Sequence, residues 1–355
     1  MKDSIFYSVF KMQARNDRFF DESDRYNARK SEVFGRSGGG VTLRAPEASE
    51  PLDTSSNKVV IYSGAEEYRN EYFMKRLKEQ FPDYDISIEY MPTGNLAAKL
   101  AAEGTDTDID IVYDLDFSYA GLVEKYLADL SAYDQSVFVD DCQVQSAKYL
   151  AEIRNGGAII INPKILETKG LKEPTSYQDL IKPEYKGLIS MPNPKSSGTG
   201  YMFVKNLVNV WGEDKAFEYF DTLAENVLQF TSSGSGPVNA LVQGEAAIGL
   251  GMTAQAVTAI NDGAELKIIF FEEGSPYSLY GYAIPEGKQH RKAVKDVFDF
   301  FYTTLVLEDK ERFYPEKIYK DFDFEIANYP TGIKYADMSN NTTEEKTRLL
   351  ENWEY

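Results

Sequence analysis

The sequence predicts an α/β fold in which mostly parallel strands are covered by helices. Three observations support it: short apolar strands alternate with helices, two strand–loop–helix units carry the same run of small residues, and 355 residues are enough for two domains. Alternation of strand and helix is typical of parallel sheets, because a parallel connection needs a crossover, usually a helix.

The elements follow one another regularly along the chain. In the first half, strands are predicted at 59–63, 86–90, 109–113 and 157–162, and helices at 65–80, 95–103 and 117–127. In the second half, strands are predicted at 187–191, 227–231, 246–251, 266–271 and 279–284, and helices at 199–211, 214–225, 237–243, 253–262 and 289–306. The tail, 308–355, is predicted to be helical in parts, with Thr342 or Thr343 and Glu345 as an N-terminal cap signal.

Residues 1–57 are predicted to form a separate polar extension. GRSGGG at 35–40 and APEASEPLDTSSN at 45–57 have the composition of a flexible linker. This composition favours a disordered tail, and the alternative is a tether to a larger assembly. The first residues contain neither the apolar segment of a signal peptide nor a lipid-anchor cysteine, so neither is predicted.

Two loops of small residues form the most informative pattern. Ser196, Ser197, Gly198 and Thr199 follow one predicted strand, and Ser232, Ser233, Gly234 and Ser235 follow another. Each loop precedes a helix, whose first N–H groups lack intrahelical acceptors and can hold an anion. A single loop of this kind is more often an ordinary N-cap. Two of them, about one βαβ repeat apart, should face the same carboxyl edge of the sheet, where ligands bind in such folds.

The composition argues against several classes of function. The net charge of −19 disfavours nucleic acid and anionic membranes as partners. With one cysteine, Cys142, and one histidine, His290, no intrachain disulfide or Cys/His zinc site is expected. The sequence offers no catalytic triad, Walker loop or dinucleotide fingerprint in context, so no catalytic residue, metal or cofactor is predicted. No apolar run reaches the roughly 18 residues of a transmembrane helix.

Residues 58–355 resemble the bacterial extracellular solute-binding proteins of ABC importers. The phrases that carry the resemblance are VVIYSGAEE at 59–67, DIDIVYDLDFSYAGLVEKYLADLSAY at 108–133, NPKILETKGLKEPTSYQDLIKPEYKGLISMPNPKSSGTGY at 162–201, GPVNALVQGEAAIGLG at 236–251 and the C-terminal LLENWEY. Within that family the chain looks most like the branch of ferric-ion, phosphonate, hexose-phosphate and polyamine binders.

The resemblance implies a two-lobed periplasmic-binding-protein-like fold with a hinge. Each lobe would be a mostly parallel sheet flanked by helices. Lobe one would hold 58–157 and 283–310, lobe two 158–279, and 311–355 would pack across the lobes, with strands at 157–162 and 279–284 crossing between them. Family members are exported, which implies an extracytoplasmic location, and they dock on importer membrane subunits; we expect a monomer.

The resemblance also implies that loops from both lobes line an interlobe cleft. The expected ligand-binding residues are Ser63, Gly64, Glu66, Thr93, Tyr113, Asp114, Asp116, Ser196, Ser197, Gly198, Thr199, Ser232, Ser233, Gly234, Ser235, Thr253, Glu273 and Tyr277. Asp114 and Asp116 have helix capping as an alternative role. Glu272 and Glu273 precede GSP and have a solvated turn as theirs.

The expected ligand is a small polar solute that is anionic, such as a phosphonate or a phosphorylated compound. Convergent hydroxyls and N–H groups suit phosphate, phosphonate or carboxylate oxygens. Asp114 and Asp116 leave a polyamine cation open as an alternative. Family members that bind bare iron place adjacent tyrosines after the strand matching AAIGLG, whereas this chain has GMTAQA there, which leaves only a ferric chelate as an iron alternative.

The expected function is therefore substrate capture for an ABC importer by hinge closure, without catalysis. Two other classes of protein stay open at this point. One is a ligand-sensing domain of a receptor, and the other is an enzyme on a similar two-lobe scaffold, since fold alone does not determine function.

Overall fold

A mixed sheet of nine strands organises the structure, a computed structural model that describes residues 43–143 and 146–355. The strands are β1 (Lys58–Ser63), β2 (Asp85–Tyr90), β3 (Ile111–Asp116), β4 (Leu150–Ile161), β5 (Ile189–Pro192), β6 (Val227–Thr231), β7 (Ile248–Met252), β8 (Lys267–Ile269) and β9 (Tyr277–Ala283). Their order in the sheet is β2-β1-β3-β9-β4-β7-β5-β6, with β8 paired to β4.

Helices cover this sheet. They are α1 (Glu67–Gln80), α2 (Thr93–Glu103), α3 (Ala120–Val123), α4 (Pro163–Thr168), α5 (Tyr177–Leu180), α6 (Gly198–Trp211), α7 (Glu213–Ala224), α8 (Gly236–Gln243), α9 (Thr253–Asn261), α10 (Lys292–Phe300), α11 (Val306–Arg312) and α12 (Thr343–Glu351). A π-helical turn, Phe301–Leu305, joins α10 to α11. The alternation of strands and helices confirms the predicted α/β class.

The long strand β4 connects the two halves of the sheet. Residues 150–156 pair with β9, and residues 157–161 pair with β7. The three strands β2, β1 and β3 are parallel to one another, as are β6, β5 and β7, whereas β9 runs antiparallel to β3 and β4. Each half therefore has the parallel outer strands that the sequence predicts, and the strands between them make the sheet mixed.

Three elements differ from the sequence prediction. The helix predicted at 289–306 begins at Lys292 and is interrupted by the π-helical turn Phe301–Leu305. All twelve residues of β4 are buried, and the strand begins at Leu150 rather than at 157, because polar residues such as Glu152 and Arg154 in its first half hid the strand pattern. The helix predicted at 117–127 is broken into the 3₁₀ turns Phe117–Tyr119 and Glu124–Tyr126 around the short α3.

The hydrophobic core is divided between the two halves. One cluster packs α2 and β3 together through Leu96, Leu100 and Val112. A larger one packs α6 and α7 on β5 and β7 through residues such as Phe203 and Phe220. At about 25 cal/mol per Å² of buried apolar area, these clusters supply most of the driving force for folding.

The C-terminal tail contacts residues from both halves of the sequence. Thr342 accepts a hydrogen bond from Glu345 N through its hydroxyl, which confirms the predicted cap of α12. Thr343 Oγ1 donates to Ser118 O at 2.8 Å, and Arg348 pairs with Glu213 at 2.8 Å.

The predicted extension over 1–57 lies largely outside the described residues. Within its described part, Asp53 N donates to His290 O at 2.8 Å and Lys292 N donates to Asp53 O at 2.9 Å. Lys295 Nζ also donates to Pro46 O at 2.8 Å. Residues 46–53 of the predicted linker thus lie along the start of α10.

Candidate functional site

A cavity of about 110 Å³ lies where four helices begin, namely α1, α2, α6 and α8. It is lined by Gly64, Glu66, Arg69, Tyr90, Pro92, Thr93, Asp114, Ile153, Asn155, Ser196, Ser197, Gly198, Thr199, Ser232, Ser233, Gly234, Ser235, Met252, Tyr280 and Tyr314. These helices follow β1, β2, β5 and β6, so the cavity lies at the carboxyl ends of the parallel strands, where the positive ends of helix dipoles converge.

One wall of the cavity consists of the two predicted small-residue loops. Ser197 is the N-cap of α6, with its Oγ accepting from Gly200 N at 3.4 Å. The two loops touch each other, since a Cβ built on Gly234 would lie 2.3 Å from Thr199 Oγ1. This wall therefore offers hydroxyl groups together with the first N–H groups of two helices.

The opposite wall carries two carboxylates, Glu66 and Asp114. Asp114 lies at a bulge between β3 and β9 and has a φ of +59°, a conformation that Asp and Asn tolerate better than most residues. Gly64 is required beside it, because a Cβ there would lie 2.7 Å from Asp114 O. Thr93 Oγ1 accepts from Asp116 N at 2.9 Å and keeps its own O–H proton free to donate.

Arg69 is completely buried behind this wall and contacts four carboxylates. It donates Nε and Nη2 to Asp309 at 2.8 and 3.0 Å, and Nη1 to Asp114 at 3.1 Å and to Glu66 at 3.3 Å. Nη2 also donates to Glu152 on β4. The guanidinium thus joins α1, β3, β4 and α11 into one network.

This network is rich in negative charge, since its four carboxylates face the two cations Arg69 and Lys310. Burial raises the pKa of Glu152 to about 7. Burial and the neighbouring Glu152 raise the pKa of Asp114 well above its usual range, although Arg69 opposes this. Burial also lowers the pKa of Lys310. The cluster therefore tends to hold a proton near neutral pH.

The floor of the cavity comes from the strands that join the two halves and from the tail. Ile153 and Asn155 lie on β4 and Tyr280 on β9, and Tyr314 OH donates to Glu66 Oε1 at 2.8 Å. Within the described residues, the buried Asn155 Oδ1 has no hydrogen-bond partner. A buried acceptor of this kind requires a donor, which a ligand can supply.

The cavity brings together twelve of the eighteen predicted site residues. They are Gly64, Glu66, Thr93, Asp114 and the two runs Ser196–Thr199 and Ser232–Ser235. The other six are outside its lining: Ser63, Tyr113, Asp116, Thr253, Glu273 and Tyr277.

Those six residues have other surroundings. Ser63 Oγ accepts from Ala65 N, and Tyr113 packs edge-on against Phe73. The ring of Tyr277 packs edge-on against the ring of Tyr335. Thr253 is fully buried at the start of α9, and Glu273 follows β8 in a turn.

Asp116 has the capping role that the sequence left open. Its Oδ1 accepts from Ser118 N at 2.9 Å and from Ser278 Oγ at 2.7 Å, and its side chain is fully buried. A Cβ on Gly198 would lie 2.5 Å from Asp116 Oδ2, so the carboxylate lies directly behind the first residue of α6.

Several lining residues were missed from the sequence: Arg69, Tyr90, Ile153, Asn155, Met252 and Tyr314. A signal for Arg69 exists, since it shares the buried face of α1 with Phe73 and Leu77 at a spacing of four residues. A charged residue in an apolar helical stripe requires buried partners. No comparable local signal marks Asn155 or Tyr314, whose positions depend on the long strand β4 and on the tail.

Two further findings concern only the described residues. No group of three or more His, Cys, Asp or Glu side chains there is arranged to hold a metal ion. Within the same residues, no helix combines the length and apolar character needed to cross a membrane.

Comparison with known proteins places this geometry in a family. The family model of the bacterial extracellular solute-binding proteins matches residues 63–304. A structure of the periplasmic binding protein AfuA from Actinobacillus pleuropneumoniae with fructose-6-phosphate bound is 25% identical, with a TM-score of 0.75, covering 83% of this chain and 97% of that one.

Two further proteins are similar to this chain in sequence. An uncharacterized protein of Haemophilus influenzae is 28% identical over 246 residues, 66% of this chain and 70% of its own length. The spermidine/putrescine-binding periplasmic protein of Escherichia coli is 23% identical over 262 residues, 72% of this chain and 68% of its own length. Because the family model matches well over half of the sequence, the chain belongs to the bacterial extracellular solute-binding proteins, the substrate-binding components of ABC importers.

Proposed function

We propose that this chain captures a small phosphorylated or phosphonate solute in the cavity between its two halves. The observation that carries the proposal is the contact between the two small-residue loops, 196–199 and 232–235, at the start of α6 and α8. Their hydroxyls and helix N-terminal amides form a wall of hydrogen-bond donors around one point, as an anionic head group requires.

The overall negative charge does not oppose this proposal. Binding depends on the local field, and the N-terminal ends of four helices face the cavity. The opposite wall, with Glu66 and Asp114, suits hydroxyl groups or another hydrogen-bond donor on the rest of the ligand. The similarity to AfuA, whose structure contains fructose-6-phosphate, supports a sugar phosphate as the first ligand to test.

A polyamine is the second candidate ligand. Glu66 and Asp114 lie within the lining, and a carboxylate that loses contact with water in a cavity suits an ammonium group. The similarity to a spermidine/putrescine-binding protein supports this alternative. It leaves the donor wall of Ser and Thr residues unexplained, and we therefore rank it second.

Capture would occur by closure of two lobes without catalysis. We assign 58–157 and 283–310 to lobe one and 158–279 to lobe two, with the tail 311–355 across both. Ligand contacts made only in the closed state would shift the population towards it. The closed monomer would then dock on importer membrane subunits outside the cytoplasm.

Calorimetric titration of the purified chain with fructose 6-phosphate, inorganic phosphate and spermidine tests this function. The proposal predicts one fructose 6-phosphate per chain and compaction in solution scattering on binding. At 100 times Kd, such a ligand adds about 2.7 kcal/mol to the free energy of unfolding. Binding of spermidine with no response to either phosphate compound would instead favour the polyamine.

A further inference from the structure

The guanidinium of Arg69 has no donor left for a ligand. Arginine carries five N–H groups. Here Nε and one Nη2 proton go to Asp309, the other Nη2 proton to Glu152, and the Nη1 protons to Glu66 and Asp114. Although Arg69 lines the cavity, it cannot provide the anion contact that a buried arginine usually suggests.

We infer that Arg69 is a positioning residue that holds Glu66 and Asp114 as paired acceptors for the hydroxyl groups of the ligand. This inference rests on the proposed function and adds a feature of the substrate, namely that the part opposite the anionic head is polyhydroxylated. Selectivity for that part would then come from carboxyl oxygens fixed by Arg69.

The geometry of the two carboxyl groups supports this role. Arg69 holds Asp114 Oδ1, and within the described residues no donor is assigned to Asp114 Oδ2, which lies beside Gly64. Glu66 accepts a hydrogen bond from Tyr314 OH on one oxygen and from Arg69 on the other. These two bonds fix the orientation of its carboxyl group at the cavity. Arg69 therefore holds one oxygen of each carboxyl group, and the carboxyl oxygens keep further lone pairs that can accept from the ligand.

The position of Arg69 favours hydroxyl groups over an ammonium group. Arg69 Nη1 already donates to both cavity carboxyl groups, so an ammonium ion that bound them would lie close to a like charge. The charged groups facing Asp114 are Arg69 from α1, Glu66 just before that helix and Glu152 from β4, with Asp309 and Lys310 of α11 behind them. A hydroxyl group can donate to these carboxyl oxygens without adding charge beside Arg69.

The test compares two ligands that share the anionic head. Fructose 6-phosphate carries hydroxyls and inorganic phosphate does not. Calorimetric affinities are measured for the wild type, Asp114→Asn, Arg69→Lys and the control Arg76→Met. Asparagine tolerates the positive φ of position 114, so Asp114→Asn removes the carboxyl without changing the backbone.

We expect Asp114→Asn to weaken fructose 6-phosphate binding about tenfold or more, with phosphate affinity changed by less than about twofold. Arg69→Lys should reproduce this selective loss, because an ammonium cannot hold four carboxylates in a planar array. Arg76 lies on the same helix and pairs with Glu308, next to Asp309, without lining the cavity, so Arg76→Met should leave both affinities unchanged.

The ratio of the two affinities separates this role from a structural one. If Asp114→Asn weakens both ligands in proportion, Arg69 and Asp114 serve only the fold, and the inference is overturned. Tighter wild-type binding of 2-aminoethylphosphonate than of fructose 6-phosphate would overturn the hydroxyl assignment. If Arg69→Lys does not fold, Asp114→Asn alone decides. A wild type that binds no phosphate compound refutes the proposed function itself, before any variant is compared.

Discussion

The contact between the two small-residue loops can be tested by Gly234→Ala. A Cβ at this position would lie 2.3 Å from Thr199 Oγ1 and 2.9 Å from Thr199 Cβ, whereas ordinary contact begins near 3.4 Å. The loops must therefore separate by about 1 Å, and overpacking of this kind costs about 1–3 kcal/mol. Because both loops line the cavity, we expect a loss of at least about tenfold in affinity for fructose 6-phosphate, as one strong hydrogen bond is lengthened.

A double-mutant cycle with Thr199→Ala makes the test specific. Removing Oγ1 relieves the closest clash, so the two changes should couple by about 0.5–3 kcal/mol in urea denaturation. Gly156→Ala is a suitable control, because its Cβ would lie at an ordinary 3.4 Å from Ser275 Oγ. Additive changes in stability, or an unchanged ligand affinity in Gly234→Ala, would show that these loops do not form one wall of the site.

Three further predictions concern the same region. Ser197→Asp places a carboxylate at the start of α6. Because like charges repel, the affinity for phosphate measured by calorimetry should fall by more than about tenfold. An unchanged affinity would exclude an anion at this loop. Gly64→Ala places a Cβ 2.7 Å from Asp114 O. We expect the free energy of unfolding in urea to fall by about 1–3 kcal/mol and the affinity for fructose 6-phosphate to weaken. Wild-type values for both would contradict the geometry of the bulge at Asp114. Lys346 donates to Ser118 Oγ, and burial lowers its pKa from 10.5 to about 8. Between these two pH values the unfolded chain therefore binds more protons than the folded chain. The free energy of unfolding should rise by about 2–3 kcal/mol from pH 7 to pH 10, relative to Lys346→Met. Parallel urea-denaturation curves for the two proteins over this range would refute it.

Local patterns in the sequence predicted the outer strands and both small-residue loops. Strands such as β1 and β7 are short apolar runs ended by small or polar residues, and α6 begins at Gly198 after the N-cap Ser197, close to the predicted start. These features depend on periodicity and capping within about ten residues, which a single sequence retains.

The parts that sequence analysis missed depend on contacts between distant residues. The ion pairs of Arg69 join it to Asp309, 240 positions further along the chain, and to Glu152 on a strand whose first half looks polar. Asp114 and Asp116 have the same residue type and nearly the same position, yet a bulge directs one into the cavity and leaves the other as a cap. Local propensity predicts neither the partners of Arg69 nor the different roles of Asp114 and Asp116, because tertiary packing determines both.

Native mass spectrometry of gently purified protein identifies the captured solute, because a binding protein that closes over its ligand can retain it through mild purification. We predict one bound small molecule per chain, with the mass and fragmentation pattern of a phosphorylated or phosphonate compound, and its loss in Ser197→Asp. A retained polyamine in the wild type, or a phosphorus compound retained equally by Ser197→Asp, would contradict it.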